Sequence, residues 1–79
     1  LRSLQELHLR NTQLKTVPQT LRALDKLNHL DLRGNHFSTL PDFILDLPRL
    51  IKLDLRWNRG LTKPGWLPSL EARGCRVLL

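Results

Sequence analysis

"LNHLDLRGNHF", residues Leu27 to Phe37, spaces its leucines by three and then by two. A helix would repeat its apolar residues at three and four, and a half-buried strand at two. Leu30 and Leu32 fit a short strand that sends both side chains to one face. Leu27 before them, and Asn35 and Phe37 after them, belong to neither period. The same mixed spacing occurs elsewhere in the chain. "LQELHLRNTQL" begins at Leu4 and "LIKLDLRWNRG" at Leu50, so Leu4, Leu27 and Leu50 stand 23 residues apart. The stretch is one copy of a repeating unit, and a fixed period of this size decides the architecture.

Three copies overlay. The first holds Leu4, Leu7, Leu9, Thr12 and Leu14, the second Leu27, Leu30, Leu32, Asn35 and Phe37. The third holds Leu50, Leu53, Leu55 and Asn58, with Leu61 one place late. The first two copies continue as Val17-Pro18, Leu21, Leu24 and as Leu40-Pro41, Ile44, Leu47. On these residues the chain resembles the leucine-rich repeat proteins of the 23-residue kind, with the pattern L-x-x-L-x-L-x-x-N-x-L-x-x-L-P-x-x-L-x-x-L. The resemblance runs over nearly the whole chain. The plant receptor variant, with "SGxIP", is not matched. Units with the "LP" element are typical of intracellular proteins of bacteria and eukaryotes, so the resemblance implies a cytoplasmic protein. The closing "GWLPSLEARGCRVLL" is similar to C-terminal ends of bacterial cytoplasmic members.

The expected fold is an α/β leucine-rich repeat solenoid, a short right-handed arc. Each strand is too brief to stand alone. Stacking successive strands in parallel pairs their backbone groups at about 4.8 Å and builds a concave sheet of three to four short strands. Asn35 and Asn58 turn the chain away from the sheet. Their amides can bond loop backbone groups that stacking would otherwise bury unpaired. Pro18 and Pro41 end the strand-like course. The apolar steps Leu21, Leu24 and Leu27 suit a short helical or 3-10 return on the convex side. The units fall at about 4–26, 27–49 and 50–70, with a C-terminal cap at 71–79, all in one domain or part of one. The chain opens on "LRSLQELHL", already repeat-like, so further sequence is expected upstream.

The pattern breaks in places. Thr12 replaces asparagine in the first unit, and a hydroxyl bonds fewer groups than an amide, so that turn should be looser. "NRGLTKPGWLPSL" carries two prolines and two glycines, which argue for an irregular loop rather than a regular helix. Val77 and Leu79 repeat the two-residue step and read as a fourth strand, with Gly74 bending the chain into it. Trp66 is placed to cover the convex end of the core.

With 79 residues the chain is marginal for a core of its own. No apolar run reaches the length of a membrane span, so no membrane role is expected. One cysteine, Cys75, excludes a disulfide framework or a cysteine zinc cluster within the chain, which also favours the cytosol. The net charge of +6 is spread along the chain and reads first as a solvated surface.

Strand residues that are not leucine point out of the concave sheet in columns: Glu6, His29, Lys52; then His8, Asp31, Asp54; then Arg10, Arg33, Arg56; then Asn11, Gly34, Trp57. Arginines at strand spacing repel unless answered. Asp31 and Asp54 answer them as exposed pairs, contributing about 0 to 1 kcal/mol. Alternatively the columns form a recognition surface of Arg10, His29, Asp31, Arg33, Lys52, Asp54, Arg56 and Trp57, with Trp57 as aromatic anchor. His8 and His29 lie in neighbouring columns with no third metal ligand in register except Asp31, and read as ordinary exposed histidines. Cys75 reads as a buried cap residue. No nucleophile elbow or phosphate-binding glycine loop occurs, so no enzyme chemistry, cofactor or metal is expected.

The expected function is therefore a protein–protein interaction module, with the partner docked on the concave face. The alternative is a substrate-recognition segment of a larger enzyme such as a bacterial kinase or ubiquitin ligase. Nucleic-acid binding through the basic surface ranks last. The uncovered edge at Leu7 and Leu9 is expected to fray or to pair with another molecule.

Overall fold

A computed structural model of the protein describes residues 3–79. It contains one four-stranded sheet in the order β1-β2-β3-β4, all pairs parallel, with β1 at Glu6–His8, β2 at His29–Asp31, β3 at Lys52–Asp54 and β4 at Arg76–Leu78. The register places Leu7, Leu30, Leu53 and Val77 in one row, and Glu6, His29, Lys52 and Arg76 in another. Each strand has three residues, the minimum that turns a leucine inward between two outward side chains. The chain returns through 3-10 turns at Gln19–Ala23 and Asp42–Asp46, each following a proline, and then through one α-helix, α1, at Leu67–Ala72. This is the right architecture for a leucine-rich repeat arc: a concave parallel sheet backed by short helical returns.

The core lies between sheet and returns. Leu27, Leu30, Leu32, Ile44, Leu53 and Leu70 are wholly or almost wholly buried. Leu4, Leu7, Leu9 and Leu14 of the first unit pack against that core but are only partly covered, because within the described residues nothing stacks on their other side. The apolar burial that holds the arc together is therefore concentrated in the second and third units.

The third return corrects the sequence expectation. Residues 58–66 are irregular, but Leu67–Ala72 is helical despite its proline. Pro68 falls in the first helical turn, where a backbone N–H has no intrahelical partner and the missing donor costs nothing. The helix is then fastened to the turn before it. Trp66 Nε1 donates to Asp42 Oδ1 at 3.0 Å, and the Arg73 guanidinium donates to the carbonyls of Leu45 and Leu47. Trp66 thus covers the convex end as expected.

The fourth strand forms, with Val77 opposite Leu53, but it ends at Leu78. Leu79 remains 57% exposed where its counterpart Leu55 is 2% exposed. Leu32 and Leu55 are sealed by loops closed by Asn35 and Asn58.

Candidate functional site

The concave face is built from the side chains that flank the inward leucines. Its centre is a ladder of alternating charge. Arg33 donates from Nε to Asp31 Oδ1 at 3.0 Å and from Nη2 to Asp31 Oδ2 at 2.8 Å. Its Nε also lies 3.2 Å from Asp54 Oδ2 on the next strand. Arg56 holds Asp54 through the same two bonds, at 3.0 and 2.8 Å. Arg10 reaches Asp31 at 3.7 Å. Each aspartate also accepts the backbone N–H of the arginine two residues on, at 3.2 Å in both cases. The 23-residue period thus gives the middle guanidinium a carboxylate from its own strand and one from its neighbour.

These are not the exposed pairs expected from the sequence. Asp31 and Asp54 are 1% and 2% exposed, because strands at sheet spacing close over the short side chain while the longer arginines lie across it. Burial by itself would raise both carboxyls. Hydrogen bonds from the Arg33 side chain, the Arg33 backbone and His8 reverse that for Asp31 and hold it far below the usual carboxylate range. Asp54 is lowered in the same way by the Arg56 side chain and backbone, with a further contribution from Arg33. Both carboxylates stay charged and are answered by bidentate partners, the geometry in which a buried pair is favourable.

Next to the ladder runs the column Asn11, Gly34, Trp57. All three have left-handed backbone, with φ of 53°, 67° and 65°. The repeat demands this conformation at the turn after each strand. Glycine adopts it freely and asparagine tolerates it, whereas a tryptophan there is a strained exception. Trp57 is also 67% exposed. Its ring lies 6.0 Å from the Arg33 guanidinium carbon and 5.7 Å from that of Arg56, within cation–π range of both. It forms one wall of two shallow grooves. The larger, about 460 Å³, is bordered by Gly34, His36, Ser38, Trp57 and Arg59. In the sequence the signal for this left-handed turn is the Asn11 and Gly34 column.

Behind the face, the asparagines close the loops. The two protons of Asn35 Nδ2 are shared among the carbonyls of Leu9, Leu32 and Arg33, and its Oδ1 accepts the N–H groups of Thr12 and Leu14. Asn58 donates to the carbonyls of Leu32 and Leu55, with Arg56 O at the outer limit of 3.5 Å, and accepts from Phe37 N–H. Thr12 Oγ1 lies 3.0 Å from Leu9 O and 2.9 Å from Asn35 Oδ1, and its single proton serves one of them.

At the β1 end of the face, Glu6, His8 and His29 come together, and His8 rather than Arg10 makes the closer contact with Asp31, at 3.3 Å. The residue grouped with the two histidines is Glu6, which parallel register sets opposite His29, rather than the Asp31 that the columns offered; Asp31 meets His8 at its other ring nitrogen. Lys52 continues that column beyond His29. Cys75 is buried, and burial pushes its thiol up, which disfavours the reactive thiolate.

Comparison with protein-family descriptions matches residues 1–59 to the family described as Leucine rich repeat. The match spans most of the chain and agrees with the parallel sheet, so the protein belongs to the leucine-rich repeat family. Comparison with curated proteins and with solved structures gives no significant match. Leucine-rich repeat domains in general serve as protein-interaction modules and are typically not enzymes. Among the described residues no helix is long and apolar enough to cross a membrane.

Proposed function

We propose that this protein binds a protein partner on its concave face, with Trp57 and Arg56 as the anchor. The observation that carries the reading is Trp57. Its left-handed backbone costs on the order of 1 to 2 kcal/mol. Its ring is left mostly in water, and the fold's return is confined to exposed cation–π contacts with Arg33 and Arg56, worth about 0.5 to 1 kcal/mol each. Strain of this kind collects where a side chain is held for contact with something else. Trp and Arg are also the residues that most often dominate the energetics of protein interfaces.

Arg56 points to the chemistry of the partner. Arg33 is shared between two aspartates, but Arg56 has only Asp54. The position beyond Asp54 in the register is Leu78, so the ladder runs out of carboxylates at this end. Arg56 is correspondingly more open, with its side chain 41% exposed against 19% for Arg33. A partner Asp or Glu would supply the carboxylate that the ladder lacks, beside an aromatic wall. On the concave face Arg10, Arg33 and Arg56 are paired with aspartates, which weighs against a nucleic-acid ligand on this face. A cytosolic setting is part of the same proposal, supported by a single cysteine that is buried.

The test is affinity capture from cell lysate with the wild-type protein, Arg56→Ala, Trp57→Gly and the convex-face control Arg22→Ala. The reading expects the captured partner to be lost with the first two variants and kept with the third, all with wild-type circular dichroism. Capture that is indifferent to both concave substitutions would remove this face as the site.

A further inference from the structure

We propose that Glu6, His8 and His29 form a binding site for a divalent transition-metal ion, with zinc as the probe. The site is separate from the Trp57 anchor and does not depend on it. One donor atom from each residue lies within 4.8 Å of the others. Glu6 Oε1 is 3.3 Å from His8 Nε2 and 3.9 Å from His29 Nδ1. Zinc held tetrahedrally at bonds of about 2.0 to 2.1 Å separates its ligands by roughly 3.4 Å. The cluster is thus close to the size an ion would impose, and the exposed Glu6 and His8 side chains can close the remaining gap by small rotations.

The fold supplies the arrangement. Parallel register sets Glu6 opposite His29, and His8 lies two residues along β1 on the same face. The surroundings of His8 support it. Its Nδ1 lies 3.3 Å from Oδ2 of the almost fully buried Asp31, and its Nε2 lies 3.3 Å from Glu6 Oε1. His8 thus presents one nitrogen to a buried carboxylate and the other to the Glu6 carboxylate. A buried carboxylate on the far nitrogen of a histidine is also the arrangement that orients metal-binding imidazoles. Two imidazoles and one carboxylate with an open fourth position suit zinc and its neighbours rather than calcium or magnesium. Arg10, which reaches Asp31, and Lys52, the register partner of His29, add positive charge nearby and hold the affinity down.

Equilibrium dialysis of the metal-free protein against micromolar Zn²⁺, with bound metal measured by atomic absorption, tests the site. The expected result is one equivalent bound by the wild-type protein. Affinity should fall at least about tenfold in each of His8→Ala, His29→Ala and Glu6→Gln. His36→Ala should bind as the wild type does. No uptake by the wild-type protein, or uptake that survives either of the two histidine substitutions at His8 and His29, would overturn the proposal.

Discussion

At the scale of single residues, Trp57 separates stability from recognition. Trp57→Ala removes the ring but keeps a Cβ in left-handed backbone, whereas Trp57→Gly removes both. The glycine variant should therefore be the more stable of the two, by about 1 kcal/mol in chemical denaturation, although both lack the ring. Equal stability would mean that the backbone at this position is not left-handed in solution. Asp31 and Asp54 make a second prediction. Their carboxyls are lowered in the folded state, so the unfolded chain binds more protons in acid. Their contribution is fully present above the ordinary carboxylate value of about 3.9 and is lost as pH falls through the depressed folded values. Their contribution to the denaturation midpoint should be constant from neutral pH down to about 5 and then fall steadily. Asp31→Asn/Asp54→Asn should weaken that acid dependence. The partners of the ladder were legible in the sequence because Asp and Arg recur at one spacing. The burial of the aspartates was not, since it depends on how closely neighbouring strands and long arginine side chains cover them.

At the scale of elements, the loops are held by asparagine and the last return by a helix. Asn35 serves five backbone groups across two units. Asn35→Ala would leave several of them unpaired in a buried turn and should cost at least about 1 to 3 kcal/mol. Thr12→Ala removes one hydroxyl bond at an exposed position and should cost under about 1.5 kcal/mol. Thermal or urea unfolding of the two variants checks the order, and a Thr12 variant as damaged as the Asn35 variant would contradict it. The asparagine role could be read from sequence because the residue recurs at a fixed offset from the leucines. The helix at Leu67–Ala72 could not be read from the count of prolines and glycines alone. What mattered was where Pro68 fell within the turn, and that depended on the packing of Leu67 and Leu70.

At the scale of the whole molecule, stability should grade along the arc. Leu30 is fully buried between two neighbouring units, whereas Leu7 in the same row is only partly covered. Leu30→Ala should cost about 2 to 5 kcal/mol, and Leu7→Ala clearly less. The overall architecture was the most legible feature, because a 23-residue period fixes which residues become neighbours before any distance is known. What the period does not carry is where the columns change residue type. Leu78 stands in the register row of Asp54, and Glu6 joins two histidines at β1. Those departures are where the proposed anchor and the proposed metal site lie. The ladder, the left-handed column and both sites follow from one premise, that the units lie side by side in parallel with like residues adjacent. Interstrand nuclear Overhauser contacts test it most directly. The expected spectrum links Leu7 to Leu30, Leu30 to Leu53 and Leu53 to Val77 in one row, with parallel-strand connectivities. Helical contacts through residues 27–37, or strands paired in any other register, would contradict it.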